Sequence, residues 1–146
     1  MIKKAALAVR PGGIVAFHEV VIYEKKLHSL PSVALFDQAT AAMNAAFVAT
    51  VPSPDVAGRL VACYAEASLP SPHLFCECVV GASSSPLPRW LALTYRSMLP
   101  QIARLGLEPV SVGDPETLAE RLEAELAAVH AQVISNPQIC GWAVRP

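Results

Sequence analysis

Charge is what this sequence has least of. Only 16% of its 146 residues are Asp, Glu, Lys or Arg, against about 25% in an ordinary globular chain. These charges nearly cancel, to a formal net of −1. Such a balance offers no basic surface to nucleic acid or to an anionic membrane, so neither is expected as a partner. Long apolar runs are missing too: none reaches the roughly 18–20 residues of a transmembrane helix. The start, Met1-Ile2-Lys3-Lys4 followed by Ala and Leu, has the charge of a signal peptide. Its apolar stretch stops at Arg10 and no small-residue cleavage site follows, so it reads as a helix end. Cysteine is sparse. Cys63, Cys76, Cys78 and Cys140 form no Cys-x-x-Cys hooks of the kind zinc takes, so no metal is expected. A chain of this size, 53% apolar, does not need disulfide staples. The cysteines are expected to be reduced, buried and structural, in a cytoplasmic protein.

What is present is apolar surface and regular punctuation. The length is one domain's worth, enough for a single core, and the low charge favours a buried or oligomeric surface. Ile2 to Val9 reads as the last turns of a helix, stopped by Arg10-Pro11-Gly12-Gly13, because proline cannot continue it and glycine permits a positive-φ turn. Ile14 to Val21 is a continuous apolar run broken only by His18-Glu19, the pattern of a parallel strand covered on both faces. Tyr23 to Pro31 reads as loop. Phe36, Ala39, Met43 and Phe47 recur at helical spacing. Ser53 and Pro54 suit the cap and first position of another helix, with Val56, Leu60, Tyr64 and Ala67 on its apolar face. Leu74 to Gly81 reads as a second strand, with Cys76 and Cys78 on one face. A long helix is predicted from about Arg89, striped by Leu91, Tyr95, Met98, Ile102 and Leu105, kinked at Pro100 and closed by Gly106. Asp114-Pro115-Glu116-Thr117 is a helix start, with Leu118, Leu122, Leu126 and Val129 buried behind it. Gln132 to Arg145 reads as a strand interrupted at Asn136-Pro137.

The order of elements is α/β with three strands. A doubly covered first strand needs a neighbour on each edge, and only two other strands exist. The chain is therefore expected to be incomplete as a stand-alone doubly wound domain.

The segment Val9-Arg10-Pro11-Gly12-Gly13-Ile14-Val15-Ala16-Phe17-His18-Glu19 resembles the late Pro-Gly-Gly segment of class I S-adenosylmethionine-dependent methyltransferases. In that family it links a helix to the fifth strand of a seven-stranded sheet. Gly58-Arg59-Leu60, then Ala67-Ser68-Leu69-Pro70 and Pro72, resemble the helix and turn before the sixth strand. Ser85-Pro86-Leu87, Trp90-Leu91-Ala92, Arg96-Ser97-Met98-Leu99-Pro100 and Leu105-Gly106 resemble a later helix of one bacterial branch. Thr117-Leu118-Ala119-Glu120-Arg121-Leu122 and Trp142-Ala143-Val144-Arg145-Pro146 resemble its C-terminal end. The resemblance covers nearly the whole chain. It implies an α/β fold: the C-terminal part of a Rossmann-like methyltransferase fold, a small mixed sheet of about three strands with flanking helices. Residues 1–146 would then be a single partial domain lacking the N-terminal cofactor-binding half. The family's glycine-rich first loop, its ribose-binding acidic residue and its adenine-contacting residues have no counterpart, and residue 68 is Ser where such sequences often carry Gly. S-adenosylmethionine is thus the cofactor of the parent family, with no cofactor-binding residue named in this chain. The partners implied are a small-molecule acceptor and either an upstream half-domain or a second copy of the chain.

His18 and Glu19 are the candidate catalytic residues. They end a buried strand, and open α/β sheets hold their ligands beyond the carboxyl ends of strands. The resemblance puts this spot near where methyl donor and acceptor meet. Imidazole ordinarily titrates near neutrality, so His18 could take a proton from an acceptor oxygen or nitrogen. Equally, His18 could bond a backbone carbonyl and Glu19 cap a loop. Glu77 is expected at an edge or paired with Arg145 or Arg89. Arg89, Trp90, Tyr95 and Arg96 either line an acceptor pocket or pack and face solvent. His28 and His73 are assigned to loops and His130 to a helix end. Ser83-Ser84-Ser85 lacks the Gly-x-Ser-x-Gly elbow of a hydrolase, and Pro11-Gly12-Gly13 lacks the following helix of a phosphate loop. Two functions compete: the substrate-side part of a small-molecule methyltransferase, inactive or incomplete alone, and a non-catalytic truncated homologue acting as an interaction or dimerisation module.

Overall fold

A computed structural model of the chain describes residues 1–22, 27–106 and 112–146. Helix α1, Ile2–Ala8, buries Ile2 and Ala6 and stops before Pro11. The turn that follows requires both of its glycines. Gly12 has φ +78°, and a Cβ on Gly13 would lie 2.4 Å from the Val9 side chain and 3.0 Å from the Arg10 carbonyl oxygen. The turn is bonded to the far end of the chain. Gly12 N–H donates to the Arg145 carbonyl and Arg145 N–H to the Gly13 carbonyl, both at 2.8 Å. The Arg145 guanidinium in turn donates to the carbonyls of Leu7 and Val9, where a cation suits the negative end of a helix.

Strand β1, Ile14–Val20, follows. It is not the parallel, doubly covered strand that its apolar run suggests. Its partner is the last strand in the chain, Gln138–Val144, running antiparallel with Ile14 opposite Val144 and Val20 opposite Gln138. A strand at His73–Glu77 pairs antiparallel with the other side of that last strand. β1 is therefore an edge of this three-stranded sheet, and burial along it alternates. Only one sheet face is covered among the described residues. Val15 and Ala143 lie against α1 and the helix Leu60–Glu66, which a 3-10 turn at Val56–Arg59 introduces in place of a helix capped by Ser53. A run of apolar side chains states what can be buried, not how many layers arrive to bury it.

A second three-stranded sheet was not expected. His28–Leu30 forms β2, inside the segment read as loop, whose residues 23–26 fall outside the described ones. The expected single strand Leu74–Gly81 is two, β3 (His73–Glu77) and β4 (Val80–Gly81). The expected strand Gln132–Arg145 is also two, β5 (Gln132–Ile134) and β6 (Gln138–Val144). The sheets have orders β1-β6-β3 and β2-β5-β4, with every pairing antiparallel. The two orders match track for track, so each track leaves one sheet and enters the other at a common waist.

Around the second sheet lie three helices. α2 spans Ala34–Thr50; with Leu60–Glu66 as α3, α4 spans Pro86–Arg104 and α5 Leu118–Ala128. Phe36, Met43, Leu91, Tyr95, Leu118, Leu122, Leu126 and Val133 share one buried cluster. Most residues of the helical stripes read from spacing are buried; Phe47, Val56 and Ala67 are half-buried, and Leu105 and Val129 are exposed beyond the helix ends. α4 begins at Pro86, not Arg89, and continues through Pro100 to Arg104. α5 begins at Leu118 because the Asp114 carboxylate accepts the Glu116 N–H at 3.0 Å, closing a turn ahead of the helix. The four cysteines are free, but none is buried: Cys63 and Cys140 are half-buried, Cys76 and Cys78 exposed. Among the described residues no helix is long and apolar enough to cross a membrane.

One side chain joins the layers of the first sheet. Tyr64, fully buried, shares its hydroxyl proton between the carbonyls of Val15 at 3.0 Å and Gly141 at 2.6 Å, one on each of β1 and β6. Burial raises its pKa above the usual phenol value, the nearby Cys140 adds to this, and a backbone hydrogen bond at Phe17 opposes it. The folded state thus favours the neutral phenol, while the unfolded chain ionises near pH 10. Stability from this group is present below that pH and lost as pH rises beyond it. Tyr64→Phe is expected to cost about 1–2 kcal/mol in urea unfolding at neutral pH. It should also make the alkaline loss of stability shallower. An unchanged midpoint and slope would count against the bridge.

Candidate functional site

The waist is built by Ser135, Asn136 and Pro137, the residues that interrupt the last stretch of the sequence. Asn136 is buried. Its side-chain oxygen accepts the Leu27 N–H at 3.1 Å and its amide nitrogen donates to the Val21 carbonyl at 2.9 Å. Val21 N–H also donates to the Pro137 carbonyl at 2.8 Å. Ser135 ties the third track: its N–H donates to the Val79 carbonyl at 2.8 Å, and its hydroxyl oxygen accepts the Val79 N–H at 2.9 Å. Backbone groups freed by the strand breaks are thereby paired, as buried backbone must be.

Breaking all three tracks at one level leaves space beyond the carboxyl end of β1. A cavity of about 460 Å³ lies there, floored by Val20, Ile22, Val79 and Gln138. α2 contributes Met43, Asn44 and Phe47 to its wall, and the start of α4 contributes Pro86, Leu87 and Trp90. No charged residue lines it among the described ones. Asn44 is 5% exposed, and neither its amide oxygen nor its amide nitrogen has a hydrogen-bond partner among the described residues. Thr40, one turn earlier on α2, carries a hydroxyl in the same condition. Each such group costs about 1–3 kcal/mol in lost hydration, and unpaired buried amides are rare in folded proteins.

His18 and Glu19, adjacent in sequence, part company in space. His18 lies on the open face of the first sheet, where its Nε2 is 3.3 Å from a Glu77 carboxylate oxygen. Glu77 pairs with His18 instead of Arg145 or Arg89, because Arg145 is committed to the end of α1. His18 is two residues before Val20, about 7 Å along the strand from the cavity floor. Glu19 points through the sheet to the other face and lines a different cavity, of about 570 Å³, between α1 and the segment Val51 to Ala67. The two residues do not share a site.

Of the four α4 residues weighed for a pocket, Trp90 alone lines the waist cavity. Tyr95 is buried in the helical core, where burial raises its pKa. Arg96 bonds Glu116 at 2.6 Å on the surface, and Arg89 is exposed. His28 and His73 are in strands, not loops, and His73 stacks on Trp142 with ring centroids 4.3 Å apart. His130 follows α5 in a left-handed conformation, φ +52°. Among the described residues no group of three or more His, Cys, Asp or Glu could hold a metal ion.

Asn44 escaped the sequence reading. The signal was there: a poor helix former placed between Met43 and Phe47 on a buried stripe, with Thr40 four residues earlier. No family model and no curated protein matches the chain.

Asn136→Ala leaves the Leu27 N–H and Val21 carbonyl buried with fewer partners. It is expected to cost about 2–4 kcal/mol, with faster amide exchange at Leu27. His18→Gln, by contrast, removes a histidine–carboxylate contact whose side chains are 44% and 57% exposed. It should change the unfolding free energy by less than about 1 kcal/mol.

Proposed function

We propose that these residues form the acceptor-binding side of an S-adenosylmethionine-dependent small-molecule methyltransferase, acting with a cofactor-binding half that they do not themselves supply. One observation carries the reading: an uncharged cavity of small-molecule size opens beyond the carboxyl end of β1. That strand carries the Pro-Gly-Gly resemblance, and ligands of α/β sheets collect at such ends.

The cofactor does not fit these residues alone. The Gly12-Gly13 turn lies at the amino end of β1, away from the cavity, and the Val9 side chain fills the space beside Gly13. Pocket and sheet instead suit the other substrate. Apolar walls would hold an acceptor and exclude water, and positioning is the larger part of such catalysis. His18, on the same sheet face about 7 Å along the strand from the cavity floor, would take the proton of an acceptor that extends out of the cavity over that face. The Glu77 carboxylate beside it would steady the imidazolium formed.

A second reading, a non-catalytic module that dimerises, is favoured by the open face of the first sheet. Ile14, Phe75 and Val144 are exposed there, at 60%, 52% and 45%, and β1 has an unpaired edge among the described residues. Open edges and apolar faces of this kind pair with other chains.

Titration calorimetry with S-adenosylhomocysteine separates these outcomes. The chain alone is expected to give no heat, and binding should appear when a cofactor-binding half is added. Tight binding by these residues alone would overturn the acceptor-side reading. Sedimentation at micromolar concentration decides the second: a well-behaved monomer removes it.

A further inference from the structure

We infer that β3 is the edge by which two copies of this chain join: the two β3 strands pair antiparallel across a two-fold axis, with Phe75 facing the partner's Phe75. The inference deepens the dimerising reading above and rests on it for the existence of a dimer, while naming the contact. It holds equally for a catalytic chain, because β1 stays free for an upstream half.

The outer edge of β3 is unpaired among the described residues, and all five of its residues, His73 to Glu77, are exposed. Beyond it Val79 and Val80 continue the same track, apolar and half exposed. From His73 to Gly81 there is no lysine, arginine or proline, the residues that commonly keep strand edges from pairing. Among the described residues every strand pairs antiparallel. A two-fold axis that joins two edges in this way stands normal to the sheet and keeps each residue on its own face. Opposed residues must also share a face, so the axis passes through a residue and not between two. Placed at His73 or Leu74, it brings Pro72 into the pairing, opposite Leu74 or Cys76, with no N–H to give. At Cys76 it sets Phe75 against the partner's Glu77, and at Glu77 it opposes two carboxylates. At Phe75 the whole of one strand meets the whole of the other. Phe75 then meets its counterpart, Leu74 meets the partner's Cys76, and His73 meets the partner's Glu77, the last two twice by symmetry. His73 and Glu77 both lie on the open face: His73 stacks on Trp142, and Glu77 is 3.3 Å from His18. A carboxylate has two oxygens, so Glu77 can keep His18 and still accept an N–H from the partner's His73. The product is one continuous sheet, with three strands from each copy.

Sedimentation velocity over a concentration series reads the dimer constant of the intact chain and of its variants. The parent chain is expected to be a dimer. Phe75→Lys sets two like charges at the axis and should weaken that dimer at least roughly tenfold. Ile14→Lys, on β1 at the far edge of the same sheet, should leave it unchanged. Glu77→Lys turns two attractive pairs into repulsive ones and should weaken the dimer roughly fivefold or more. Adding His73→Glu to that variant opposes Lys to Glu again and should restore it. A dimer that survives Phe75→Lys, or one that Ile14→Lys dissolves, would overturn this interface and leave the dimerising reading standing. So would a Glu77→Lys defect that His73→Glu does not correct. A parent chain still monomeric at about 100 μM, far weaker than a specific complex, would overturn both. Should Phe75→Lys fail to fold, Glu77→Lys and its double variant decide.

Discussion

The side-chain amide of Asn136 is the contact on which the architecture turns. Each of the three strand tracks breaks between one sheet and the other, and each break frees backbone groups that burial would leave without water. Asn136 closes two of them, bonding Leu27 from a position 109 residues away and the Val21 carbonyl from 115. With Ser135 on Val79, it converts what would be a defect into a joint. The joint fixes where β1 ends and β2 begins, and hence where α2 leaves the sheet. It also fixes the distance between the strand ends and the helices α2 and α4. The cavity is the gap those distances leave.

Below the joint, the first sheet depends on closeness. Gly141 sits opposite Phe17 and Leu74, and a Cβ there would press on the side chains of Leu74 at 3.0 Å and Leu60 at 3.4 Å. Its missing side chain lets Tyr64 approach the β1–β6 pair and bond both carbonyls. The covered face is thus tightly keyed. The opposite face carries His18, His73, Glu77 and Trp142 beside exposed Ile14 and Phe75. One sheet therefore has a packed side and a side dressed for contact.

Helices were legible in the sequence where their stripes were long. The periods of Phe36-Ala39-Met43 and of Leu118-Leu122-Leu126 each describe one buried face, and those residues are buried. The Pro-Gly-Gly turn was legible too, because a positive φ and a crowded Cβ leave glycine alone able to serve. Strand partnership was not. Ile14 to Val21 contains nothing that separates a central parallel strand from an edge strand with one open face, since that depends on which other segments arrive. The interruption at Asn136-Pro137 could be read, but not the reach of the Asn136 amide, because a bond across more than a hundred residues leaves no periodic mark. The site failed to emerge for a related reason. It is lined by α2, α4 and the strand ends together, and none of these announces the others.

The register of β1 against β6 has a consequence in time. The Arg145 guanidinium caps carbonyls at the end of α1, 136 residues earlier in the chain, and β1 finds its only described partner in the final strand. During synthesis the first strand emerges long before that partner exists. It must wait, apolar and unpaired, until Gln138–Val144 have cleared the ribosome. Non-local pairing of this kind is slow to form and exposed while it forms. The helical layer, with α2 and α4 nearer in sequence, can collapse earlier. Nascent chains of this protein would therefore pass through a stage with an ordered helical half and an unclosed strand, the species that chaperones capture.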